Sequence, residues 1–346
     1  MAPVVAAIQQ QVTLQSLVLQ CAAPTAVLEQ WFPPPFTHVN LATDQGIPML
    51  NVVQVDPEET FAQYEVQWHN RDLLLQEVEH HLRQQKPNLV LSNNSHLLSR
   101  AAARLGIPCF HLCSLNWADL FKDYCGDRPQ ADAIYESLCA DYNTADAFFR
   151  LPPHMPMPGM KNLVDVGPVC TPGKQRDLRQ WFDHSPHMRY VLVTMGGMPY
   201  PIPFAGWPRH EDLTWINGGA GVEPPHEHFI NASDLHFAHR DLVASSDVVI
   251  TKPGYGTFVE AACAGTPVLY LPRGNWPEEP YLLEWQKQRS YCAPITRQQL
   301  AQGSLLDAVN AACGQRPRQE TRATGSGEIV DYLLRRVDRL AQGQPN

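Results

Sequence analysis

Gly254, Gly256, Thr257 and Glu260 lie close together in Lys252-Pro253-Gly254-Tyr255-Gly256-Thr257-Phe258-Val259-Glu260. Two glycines at this spacing let the backbone turn tightly with no Cβ in the way. The run Val248-Val249-Ile250 before them is of buried-strand type, and the pattern after them predicts a helix over Phe258 to Ala264. Thr257 is placed to cap that helix and Gly265 to stop it at a C′-like position, after which Pro267 leads into a second buried strand, Val268 to Leu271. A glycine turn opening on a helix N-terminus presents backbone N–H groups and the positive end of the helix dipole, so a phosphate or diphosphate fits there. Glu260, one turn in, is placed to reach past the phosphates to ribose hydroxyls. Glycines between a strand and a helix also occur as plain turn formers. The spacing over a longer stretch has to decide.

Other residues bear on the same chemistry. Met195-Gly196-Gly197-Met198 follows a predicted strand, Tyr190 to Thr194, and its glycine pair allows close approach to a diphosphate or sugar, or makes a simple turn. Glu278 and Glu279 follow the second buried strand, in Arg273-Gly274-Asn275-Trp276-Pro277-Glu278-Glu279-Pro280-Tyr281, and taken by themselves are open to a reading as surface charge. His226, His228, His236 and His239 lack the tight paired spacing of a structural zinc site, so no metal site is expected. In the first half, Ser92-Asn93-Asn94 and Ser114-Leu115-Asn116-Trp117 end successive strands, where α/β sheets bind ligands. His96, His111 and Asp119 are the candidate bases there, none preferred over the others. There is no Asp-x-Asp pair to hold a metal on a diphosphate, and no Gly-x-x-x-x-Gly-Lys phosphate loop of a kinase.

The elements that must position these residues alternate between strand and helix, which predicts an α/β fold with parallel sheets. The 346 residues suffice for two domains, and 44% hydrophobic content supplies their cores. The Pro/Met-rich stretch Leu151 to Met160 is the best linker, so residues 1–160 read as one Rossmann-like domain, 161–325 as a second, and 326–346 as a terminal helix and tail. Within the first, Met1 to Gln11 reads as a helix, Thr13 to Gln20 as a strand and Pro57 to Gln85 as one long polar helix. A doubly wound domain normally starts with a strand and a glycine-rich loop. On this expectation both are missing ahead of Met1, and the sequence does not decide whether the true start lies upstream. No apolar run approaches the roughly 20 residues of a membrane span and no signal peptide opens the chain, so a cytoplasmic protein is expected, with peripheral membrane contact left open. Nine cysteines without a Cys-x-x-Cys spacing read as buried thiols. A net charge of −9 without a basic run argues against nucleic acid as a partner.

The order from Asp247 to Pro272, Asp-(apolar)3 then Gly-x-Gly-Thr-x-x-Glu-Ala and finally Gly-x-Pro, resembles the nucleotide-sugar site of family 28 glycosyltransferases. That family includes the bacterial enzyme that adds N-acetylglucosamine to lipid I and plant monogalactosyldiacylglycerol synthases. The pattern Asn116-Trp117-x-x-Leu-Phe, with Gly254 to Thr257 and Glu278-Glu279-Pro280, also resembles the glycosyltransferase-like half of plant L-arabinokinases. The resemblance implies two Rossmann-like domains of the GT-B type with an interdomain cleft. It implies inverting, metal-independent transfer from a UDP sugar as donor substrate, without a cofactor, to an unknown acceptor. It places Gly196, Gly197, Gly254, Tyr255, Gly256, Thr257 and Glu260 on the nucleotide sugar. His236, in the segment Leu235 to His239, falls where relatives hold the uracil ring, and Glu278 and Glu279 fall in the loop that touches the donor sugar. The lipid I enzyme has glutamines there, so the donor sugar is open. The base of such enzymes is commonly a histidine of the first glycine-rich loop. A non-catalytic nucleotide-sugar-binding protein and a sugar-nucleotide epimerase of the same fold remain the rival readings.

Overall fold

A computed structural model describes residues 1–51, 53–197 and 200–341, with side chains to residue 336. The chain forms two units. Unit 1 holds Met1–Pro48, Asp56–Val169 and the chain from Thr324 onward, and unit 2 holds Met49–Val55 and Cys170–Ala323.

Unit 1 opens with α1 (Ala2–Gln11), β1 (Val18–Gln20), α2 (Thr25–Leu28) and β2 (Thr37–Val39). The chain then enters unit 2 for a hairpin, β3 (Met49–Asn51) and β4 (Gln54–Val55), and returns through α3 (Pro57–His69) and α4 (Arg71–Gln85). Asp56 starts α3 by accepting a hydrogen bond from the Glu59 N–H at 3.0 Å, with Pro57 in the first turn where no N–H is needed. The single long helix expected over Pro57 to Gln85 is two, because the Asn70 side chain donates to the Val66 carbonyl at 2.9 Å and ends the first. Next come β5 (Val90–Ser92), α5 (His96–Arg104), β6 (Cys109–Cys113), α6 (Trp117–Cys125), α7 (Ala131–Tyr142), β7 (Ala147–Arg150) and β8 (Leu163–Asp165). Strands β5 to β8 form a parallel sheet in chain order, and β1 and β2 form a separate parallel pair. Among the described residues no strand joins the two.

Unit 2 continues with α8 (Leu178–Trp181), β9 (Arg189–Val193), β10 (Leu213–Asn217), β11 (Phe229–Asn231), α9 (His239–Ser245), β12 (Val248–Thr251), α10 (Tyr255–Ala264) and β13 (Val268–Tyr270). It ends with α11 (Glu279–Arg289), β14 (Cys292–Pro294), α12 (Arg297–Gln302) and α13 (Leu306–Ala312). Strands β9 to β14 form one sheet, all parallel, in the order β11-β10-β9-β12-β13-β14. Successive side chains of a strand point to opposite faces, and both faces here are covered. Val191, Val193, Trp215 and Ile250 enter one core, while Tyr190, Leu192, Ile216 and Val249 enter the other. This explains the near-continuous apolar runs that made these strands legible. Val53 of the hairpin, a segment the sequence reading left without structure, is buried in the first of these cores.

The last element, α14 (Gly325–Ala341), belongs to unit 1 and is the terminal helix expected within 326–346. It packs on α1, sets the Tyr332 ring edge-on to Phe110 and Phe149, and ties Arg336 to Asp146 at 3.1 Å. No described helix is long and apolar enough to cross a membrane.

Candidate functional site

The sheet of unit 2 changes direction between β9 and β12. From β9 the chain lays β10 and β11 outward on one side, then returns to place β12 against the other side of β9 and continues outward through β13 and β14. Open α/β sheets bind ligands at such a switch point, beyond the carboxyl ends of the strands. Gly196 and Gly197 follow β9, and Lys252 to Gly256 follow β12. The two predicted glycine segments are therefore delivered to one place by neighbouring parallel strands, with Val193 paired to Ile250 in register. Met198, the last residue of the first segment, lies outside the described residues.

Gly254 is the N-cap of α10, and no side chain caps that helix. Thr257, expected as the cap, lies inside the first turn instead. The helix starts earlier than its apolar pattern because Tyr255 and Gly256 already take helical geometry. The first turn therefore has no side-chain cap, and helix starts of this kind are where anions bind. A Cβ built on Gly256 or Gly197 would meet open space. Gly196 has φ +76°, the left-handed region that glycine takes without strain. Gly265 ends the helix at φ 73°, as expected.

Lys252 is the residue that sequence reasoning passed over. Its ammonium lies 3.8 Å from a Cβ built on Gly196 and 3.6 Å from one built on Gly254, so it stands between the two glycine turns. Burial, and then the nearby positive charge of Arg273, bring its pKa down to about 8, while Glu278 opposes the shift. A cation held in partial desolvation next to a helix N-terminus is an anion site. The signal was present as a charged residue at the end of an apolar strand, immediately before the glycine turn.

Glu260 faces the segment assigned to the base. Its Oε2 lies 3.1 Å from Nδ1 of His239, the first residue of α9. The carboxylate expected on the ribose and the segment expected on the uracil are therefore in contact in the structure. His236 is exposed, with φ 51°, and Tyr255 is half-buried beside the core of α10. Glu278 and Glu279 are buried, at 3% and 9% exposure, which removes the surface-charge reading. The Glu279 carboxylate accepts from the Arg273 backbone N–H at 2.8 Å and is held above the usual carboxylate range by burial. Glu278 accepts from the Trp276 indole at 3.0 Å. Arg273 lies 3.8 Å from the centroid of the Trp276 ring, so both carboxylates brace the loop after β13.

In unit 1 the three candidate bases are buried. His96 is buried, with Nδ1 3.1 Å from Asp141 and Nε2 3.2 Å from Gln67. His111 is enclosed between Tyr142 and Phe148, and burial drives its pKa down to about 3, so it stays neutral. Both histidines therefore belong to the core. Asp119 accepts from Asn116 Nδ2 at 2.8 Å and from the Tyr135 hydroxyl at 3.3 Å. Burial raises its pKa. Asp44, which sequence reasoning passed over, follows β2. Its Oδ2 accepts from the Trp117 indole at 3.0 Å, and burial raises its pKa, with the Trp117 hydrogen bond opposing. Its neighbour Thr43 bonds Ser95 at 2.7 Å, which brings together the ends of β2, β5 and β6.

No protein-family model matches the chain. It is 25% identical over 259 residues to an L-arabinokinase of Arabidopsis thaliana, a match spanning 72% of this chain and 24% of that protein. It is 33% identical over 72 residues to an uncharacterized glycosyltransferase of Methanopyrus kandleri, spanning 21% of each. The chain thus spans under a quarter of the length of these curated relatives. Among solved structures it resembles the calicheamicin glycosyltransferase CalG4, with TM-score 0.64, 16% identity and coverage of 98% of this chain and 94% of the other. It also resembles a putative UDP-N-acetylglucosamine 2-epimerase of Listeria monocytogenes, with TM-score 0.53, 16% identity and coverage of 98% and 93%. The chain has the α/β fold of GT-B glycosyltransferases.

Proposed function

We propose that this protein is an inverting, metal-independent glycosyltransferase of the family 28 type that draws its sugar from a UDP sugar bound in unit 2. The observation that carries this reading is the convergence of the Gly196 turn, the Lys252 ammonium and the uncapped start of α10 at the switch point of the sheet. The diphosphate lies on the N–H groups of α10, with Lys252 and the helix dipole supplying positive charge as the nucleotide leaves. Glu260 and His239 hold the ribose and the base. The acceptor oxygen attacks the anomeric carbon, the carbon–oxygen bond to the diphosphate breaks, and the acceptor proton passes to a base. The glycosyltransferase names of the similar proteins support the reading.

An epimerase is the second reading, supported by the likeness to the Listeria protein. The two separate on one experiment. The chain is titrated with UDP by calorimetry in magnesium-free buffer containing a chelator, then incubated with UDP-glucose, UDP-galactose, UDP-N-acetylglucosamine and UDP-arabinose under NMR. Binding without metal is expected. Scrambling of the donor's sugar configuration without any acceptor would replace transfer by epimerisation, and no binding at millimolar UDP by folded protein would remove both readings.

A further inference from the structure

We propose that Cys170 and Cys263 are a modification site, a thiol pair that peroxide converts to a reversible disulfide tying the start of the main segment of unit 2 to α10. The two sulfurs lie 3.7 Å apart, although 93 positions separate the residues in the chain. The Cys170 thiol donates to the Cys263 sulfur. A disulfide needs about 2.05 Å, so the sulfurs must approach by about 1.7 Å. Both sit in one apolar cluster with Val259, Ala262 and Trp285, which holds them facing each other. Cys170 is the residue at which the chain enters unit 2 after Val169, and Cys263 is in the last turn of α10, on the helix that carries the glycine turn.

The pair is chemically asymmetric. The hydrogen bond from Cys170, outweighing burial, draws the Cys263 thiol below its ordinary pKa, whereas the same bond and burial push Cys170 up. Cys263 is half-buried and Cys170 buried. A thiolate that a small oxidant can reach, beside a resolving thiol, is the arrangement of redox-responsive cysteines. The Cys263 thiolate attacks one peroxide oxygen, the O–O bond breaks, and sulfenic acid and hydroxide form. The Cys170 sulfur then attacks the Cys263 sulfur, its proton leaves with the displaced hydroxide as water, and the disulfide closes. Two thiols lose two electrons and hydrogen peroxide is reduced to two waters.

The test treats the whole folded protein with stoichiometric hydrogen peroxide, blocks residual thiols with N-ethylmaleimide, and maps tryptic peptides by mass spectrometry. The expected product links the peptide 162–174 to the peptide 241–273, is the dominant cross-link, and disappears with dithiothreitol. Cys170→Ser should remove the link and leave Cys263 as a sulfenic acid, which a second equivalent of peroxide takes to sulfinic acid. Wild-type protein in which both residues remain alkylatable, or in which Cys263 pairs with a different cysteine, would overturn the proposal. The decisive readout is on the wild type and does not depend on any variant folding.

Discussion

Replacing Lys252 by methionine keeps most of the length of the side chain and removes its charge together with its N–H donors. Two opposite unit charges about 4 Å apart attract by about 4 kcal/mol at an effective dielectric near 20. Part of this is offset, because the ammonium already sits in a place that disfavours its charge, as its pKa of about 8 records. The net worth of a charge-assisted hydrogen bond is about 1.5–3 kcal/mol, so UDP should bind to K252M roughly ten- to a hundredfold more weakly. The sign of the pH effect follows from the same shift. A lysine with a lowered pKa carries its charge below about pH 8 and loses it as pH rises through that value. Wild-type affinity for UDP should therefore fall between pH 7.5 and 9.5, with protons taken up on binding at the higher pH, while K252M stays flat over that range. Calorimetry in two buffers of different ionisation enthalpy measures both quantities. Equal dissociation constants for folded K252M and wild type, or a wild-type affinity indifferent to pH over this range, would refute the reasoning.

Two further substitutions probe the remaining parts. Glu260→Ala should weaken UDP binding by about 1.5–3 kcal/mol by calorimetry, and an unchanged constant would leave Glu260 only its pairing with His239. Asp141→Asn should cost about 3–5 kcal/mol of stability, since the fully buried carboxylate accepts from Arg71, from Arg100 at 2.8 Å and from His96 at 3.1 Å. Burial pushes the Asp141 pKa up, but these partners outweigh it and hold it below its ordinary value. The stabilisation is therefore present above the unfolded value near pH 4 and fades as pH falls through the lower folded one. Thermal melts of the variant and wild type should converge in acid, and a constant gap would contradict the assignment.

The strands of unit 2 were legible because both faces of their sheet are buried, so Val248 to Ile250 and Tyr190 to Val193 read as unbroken apolar runs. The glycine turn was legible from residue type and spacing alone. Lys252 was not, because its importance comes from Gly196 arriving beside it on a neighbouring strand, a contact across more than fifty residues that spacing does not show. His96 and His111 looked reactive by residue type, yet their surroundings decide otherwise. One is saturated by Asp141 and Gln67, and the other is enclosed by aromatic rings. Asp44 lies in a stretch without periodicity, so only the Trp117 indole reveals it. Glu278 and Glu279 have the composition of a solvated charge pair, and their burial follows from loop bonds to Arg273 and Trp276 that no local pattern encodes.

A nucleoside diphosphate is expected at the switch point of unit 2. A crystal structure of the protein grown with UDP in the presence of a chelator should show diphosphate density on the N–H groups at the start of α10, within hydrogen-bonding distance of Lys252 Nζ and facing Gly196, with the ribose against Glu260. UDP bound at any other place, or an empty switch point at saturating UDP, would contradict it.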